Sequence, residues 1–80
     1  MPKLKVLDSK DIIKILETFG FREVSQKGSH VKLIKETPFQ RQVLTIPNHK
    51  NIDRGTVKAI FNQASRFVSS EELEKHFYTK

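Results

Sequence analysis

The stretch FREVSQKGSHVKLIKETPFQRQVLTIP, residues 21–47, decides the fold. It divides into three runs of strand character, at about 21–26, 29–36 and 41–47. Lys27-Gly28 lies between the first two, with the length and the glycine of a tight hairpin turn. Thr37-Pro38-Phe39-Gln40 separates the second run from the third, and Pro38 cannot extend a central strand because it has no N–H for the ladder. A period of two sends Ser29, Val31 and Leu33 to one face and His30, Lys32 and Ile34 to the other. In the third run Leu44 and Ile46 oppose Val43 and Thr45 in the same way. Phe21 and Val24 have opposite parity, which predicts a bulge or a late strand start near Glu23.

Helices flank this stretch. Ile12, Ile13, Leu16 and Phe19 fall on one side of a 3.6-residue period, so a helix is expected over about 9–19. Asp8 or Ser9 can cap it, Asp11 favours its positive end, and Gly20 can take the left-handed conformation that stops it. A second helix begins after Asp53 and runs to about Ala64, with Val57, Ile60, Phe61 and Ala64 as its apolar side. Ser69-Ser70-Glu71-Glu72 has the pattern of a capping box, leading a short third helix over about 70–78 with Leu73 and Phe77 inward. The expected fold class is α+β, ordered α-β-β-β-α-α. A three-stranded antiparallel sheet carries its helices on one face, and the other face is left for solvent or a partner.

Eighty residues allow one small domain, here 1–80 with a core of about 8–77. There is no cysteine, hence no disulfide framework and no thiolate zinc site. MPKLKVLD lacks the apolar segment of a signal peptide, and no run approaches the roughly 20 apolar residues of a membrane span. A soluble cytoplasmic protein is therefore expected, with no membrane, metal or cofactor involved. The net charge of +6 is concentrated: residues 22–66 hold nine Lys or Arg against Glu23, Glu36 and Asp53. A localised basic field of this kind draws polyanions inward.

If the second and third runs pair through the loop at 37–40, paired positions sum to about 77, and His30 faces Pro47. The turn at Lys27 and Gly28 then lies at the same end as the segment Asn48-His49-Lys50. The amides of Arg54, Gly55 and Thr56, at a helix start, are expected close by, where unpaired N–H groups and the dipole favour phosphate. Imidazoles beside cations suit metal-independent cleavage of RNA. A base removes the proton of a ribose 2′-hydroxyl, whose oxygen attacks the adjacent phosphorus, and an acid protonates the departing 5′-oxygen. Lys and main-chain N–H groups would stabilise charge on the phosphoryl oxygens. Against this stands the ordinary role of histidine as a surface or hydrogen-bonded residue. His76, in the acidic tail, reads as solvent-facing.

The run Gln26-Lys27-Gly28-Ser29-His30, after a helix ending Phe19-Gly20-Phe21, resembles the HicA (YcfA-like) toxin family. So do Leu44-Thr45-Ile46-Pro47, the following His49, the Gly55-Thr56-Val57 helix start leading to Gln63-Ala64, and Ser69-Glu71-Glu72-Leu73. The resemblance implies a fold like a double-stranded-RNA-binding domain, endoribonuclease activity on mRNA that arrests translation, and neutralisation by a HicB-type antitoxin. It also implies that His30, the histidine of Gly-Ser-His, is catalytic. Lys27, Gly28, Ser29, Lys32, His49, Lys50 and Arg54 are the expected RNA-binding or phosphate-binding residues.

Two other readings stay open at this point. A non-catalytic RNA-binding module would use the same basic end of the sheet and read duplex RNA by its shape. A protein-interaction module would use an exposed apolar patch of Ile34, Phe39 and Val43. Whichever holds, an antitoxin facing Lys32, Lys35 and Arg41 should be acidic.

Overall fold

The computed structural model describes residues 2–79, in the order α1 (Ser9–Thr18), β1 (Arg22–Lys27), β2 (His30–Glu36), β3 (Arg41–Pro47), α2 (Arg54–Ala64) and α3 (Ser70–Phe77). The class is α+β, in the order the sequence implies. The strands form an antiparallel sheet with β2 in the middle. His30 pairs with Pro47 and Glu36 with Arg41, so paired positions sum to 77 along the whole β2–β3 ladder. On the other side Lys27 pairs with His30 and Arg22 with Ile34, and the register shifts between Glu23 and Ser25. That shift is the expected bulge. Val24 sits within it, largely exposed.

Local chemistry sets the ends of the elements. The Asp8 carboxylate accepts from the Asp11 amide at 2.9 Å, and Asp11 accepts from the Asp8 amide at 3.1 Å. This reciprocal pair satisfies two of the amides that a helix start leaves orphaned. Gly20, at φ +98°, turns the chain out of α1. The β1–β2 loop is Gly28-Ser29, with φ +59° at Gly28 and no positive φ at Ser29. A positive φ at the first turn residue alone is the type II′ pattern, whose twist matches that of the strands.

One hydrophobic cluster joins these elements. Ile12 and Leu16 of α1, Leu33, Leu44 and Ile46 of the sheet, and Leu73 and Phe77 of α3 are fully buried in it. Val57, Ile60, Phe61 and Ala64 of α2 join the same cluster. The helices therefore lie on one side of the sheet, α1 and α2 against its strands and α3 joined to them through the shared core, and burial of each large side chain contributes about 1.5–3 kcal/mol. Residues 3–5 run beside residues 77–79, where the Lys5 amide donates to Phe77 O at 2.8 Å and the Thr79 amide to Lys3 O at 2.7 Å. Among the described residues no helix is long and apolar enough to cross a membrane.

The β1–β2 turn is Gly28-Ser29, one residue later than the expected Lys27-Gly28, and four further details depart from the sequence expectations. The Ser69–Glu72 box does not form: Ser69 makes no side-chain cap, and Glu72 instead binds Lys75 at 2.9 Å. His76 is half-buried, standing edge-on to Phe19 with ring centroids 5.5 Å apart. The apolar patch loses Ile34, which is only 7% exposed although it lies on the open face, between its ladder partners Arg22 and Val43. The expected basic trio is also split. Lys35 pairs with Gln42 on the core side of the sheet and its stem lies against Gly20, while Arg41 is ion-paired with Glu36 at 2.9 Å.

Candidate active site

His30 is the first residue of the central strand and is exposed. Residues paired across an antiparallel ladder share a face, and alternate residues along a strand return to it. His30 therefore shares the open face with its two partners, Lys27 on one side and Pro47 on the other, and with Lys32 two residues along. Pro47 costs the ladder nothing here. The Asn48 amide donates to Ser29 O at 2.6 Å, which makes His30–Pro47 the neighbouring rung without hydrogen bonds.

A depression of about 610 Å³ opens beside this rung, between β3 and α2. His30, Thr45 and Pro47 form one wall; Thr56, Gln63 and Arg66 stand on the other. The expected phosphate site at the α2 start is only partly present. Thr56 lines the depression, but its amide already donates to the Asp53 carboxylate at 2.7 Å. That amide holds the Asp53 carboxyl below the usual aspartate range, so a negative charge occupies the helix start.

His49 and Lys50 go elsewhere. They line a separate depression of about 170 Å³ with Asp8, Ser9, Lys10 and Asn48, at the start of α1. The His49 carbonyl accepts from the Ser9 amide at 3.1 Å, and the Ser9 hydroxyl donates to Asn48 Oδ1 at 3.2 Å. The loop after β3 is thus drawn toward α1. Of the expected set, the ladder gathers His30, Lys27 and Lys32 with the Gly28-Ser29 turn. His49, Lys50 and Arg54 do not line the depression at His30. Gln63 and Arg66 were not among the expected residues, yet they do. The clue was available: Thr56, Ala59, Gln63 and Arg66 are spaced by three, four and three residues, which is one stripe of a helix.

Residues 9–65 match the family model of the HicA toxin of bacterial toxin–antitoxin systems. The chain belongs to this family. No curated protein and no solved structure matches it. The HicA match runs from the first residue of α1 to Ser65, one residue past α2, and so contains His30 and the whole sheet. It stops short of the 69–73 segment and of α3. Membership gives the chain a toxin's role, with a cognate antitoxin as its partner and RNA as the substrate in general terms. Among the described residues no group of three or more His, Cys, Asp or Glu is placed to hold a metal ion.

Proposed function

We propose that the chain is a cytoplasmic, metal-independent endoribonuclease that cuts single-stranded mRNA, with His30 as general acid or base and a HicB-type antitoxin as its inhibitor. The observation that carries this reading is the position of His30. Its imidazole is exposed on the central strand, flanked by Lys27, with Lys32 on the same face and a depression wide enough for a nucleotide beside it. A neutral imidazole can take the 2′-hydroxyl proton and a protonated one can give a proton to the 5′-oxygen, so His30 would fill one of the two roles and a second group the other. Lys27 and Lys32 would neutralise phosphate charge, and the Gly28-Ser29 turn lets the RNA backbone approach. The products would be a 2′,3′-cyclic phosphate and a 5′-hydroxyl. An antitoxin that covers the open face would close all of this at once. Since Arg41 is already paired and Lys35 faces away, its acidic groups should meet Arg22, Lys27 and Lys32.

The test compares purified wild type with His30→Ala on single-stranded RNA, with and without EDTA. Cleavage by wild type in EDTA, absent from His30→Ala, supports the reading. Equal cleavage by both overturns the role of His30. Equal binding with no cleavage by either protein would make the chain an RNA-binding module instead.

A further inference from the structure

The depression at His30 differs from two others on the surface in one respect: among the described residues no carboxylate lines it. The depression at the end of α3 carries Glu71 and Glu74, and the one at the start of α1 carries Asp8. A polyanion would therefore meet no carboxylate in that lining, the Asp53 carboxylate at the α2 start standing behind the Thr56 amide and outside it. Among the described residues Arg66 is the only Lys or Arg in that wall. It lies two residues past α2, in a turn whose Arg66 amide donates to Gln63 O at 3.3 Å, and it continues the stripe of Thr56, Ala59 and Gln63. Among the described residues its guanidinium has no carboxylate within ion-pair distance.

We infer that Arg66 binds a phosphate of the RNA strand that reaches His30, so that the strand lies between β3 and α2 with the imidazole on one side and the guanidinium on the other. This rests on the ribonuclease reading above and goes beyond it, because Arg66 lies outside the matched segment. A planar fork of N–H donors suits phosphate oxygens better than a lysine does, and it cannot lose its charge near neutral pH. The competing role is structural: a cation just past a helix C-terminus also offsets the helix dipole. The two roles differ in what salt does to RNA binding.

The experiment measures anisotropy of a labelled, single-stranded 2′-O-methyl RNA, which lacks the nucleophile and is not cut, across a sodium chloride series. Each lost phosphate contact lowers the slope of log affinity against log salt by about 0.7 for a single strand. Arg66→Ala should lose about that much. Lys58→Ala, on an exposed part of the same helix outside the depression, should not. Arg66→Lys should keep the slope while cutting RNA more slowly, because it keeps the charge without the fork. Arg66→Ala should cut about 100-fold more slowly, as for removal of a donor to developing oxyanion charge. Where Arg66→Ala does not fold, Arg66→Gln is measured in its place. If wild type cuts and either neutral variant leaves both slope and rate unchanged, this inference alone is overturned. If wild type never cuts but the slope still falls, the ribonuclease reading fails and the phosphate contact stands. A wild type that does not bind the RNA overturns both.

Discussion

The main-chain N–H of Asn48 donates to the carbonyl of Ser29 at 2.6 Å, one rung beyond His30 and Pro47. The same residue reaches the other way, its Oδ1 accepting from the Ser9 hydroxyl at 3.2 Å. Asn48 thus couples the turn that presents His30 to the first residue of α1. Asn48→Ala keeps the first link and removes the second, leaving the hydroxyl of Ser9, a buried residue, without its acceptor. The expected cost is about 1–2 kcal/mol, a large share of the roughly 4–12 kcal/mol that holds a domain of this size together. Thermal melts should show a fall of several degrees. Adding Ser9→Ala should recover part of it, and strict additivity in that double-mutant cycle would contradict the link.

Gly20 and Gly28 both have positive φ, but they differ in surroundings. A Cβ on Gly28 would meet nothing within 4 Å, so Gly28→Ala should cost only the positive φ of the first residue of a type II′ turn, about 1–3 kcal/mol. Gly28→Asn should cost less, as asparagine tolerates that region. A Cβ on Gly20 would sit 3.1 Å from the Lys35 stem at a φ of +98°, farther from the left-handed minimum. Gly20→Ala should lower the melting temperature more than Gly28→Ala. The opposite order would mean that the Gly28 turn bears more on stability than its open surroundings imply.

Acid should loosen both helix starts. The Asp11 amide holds the Asp8 carboxyl below the usual aspartate range, as the Thr56 amide does for Asp53. Both groups therefore bind protons less tightly in the folded chain than in the unfolded one. Their contribution is complete above the ordinary aspartate value of about 3.9 and disappears as pH falls through their lowered folded values. Urea midpoints measured from pH 6 down to pH 2 should decline across that window. In a variant carrying Asp8→Asn and Asp53→Asn the decline should be shallower, and an equally steep one would show that other carboxyls dominate.

Much of this was legible in the residues. The loop around Thr37 and Pro38 fixed the hairpin centre, and with it the His30–Pro47 rung, because the Thr37 hydroxyl accepts from the Gln40 amide at 3.0 Å and closes the turn there. The parity of Phe21 and Val24 announced the bulge. What resisted reading depended on long-range choices among groups with no periodicity. His49 follows its loop to α1 through small polar contacts with Ser9, 39 residues from Asn48. Glu72 had two partners within reach, and Lys75 prevailed over the Ser69 amide. Gln63 and Arg66 escaped notice because a helical stripe reports which residues share a side, not which strand edge that side will meet.

The middle position of β2 has a mechanical consequence. His30 lies on a strand with a neighbour on each flank, whereas Arg66 stands on a turn just past the last winding of α2. The two sides of the cleft therefore belong to different elements, a sheet strand and the turn after a helix. A transcript lying between them would bridge the two, so a shift of α2 relative to β3 would change its grip without disturbing the imidazole.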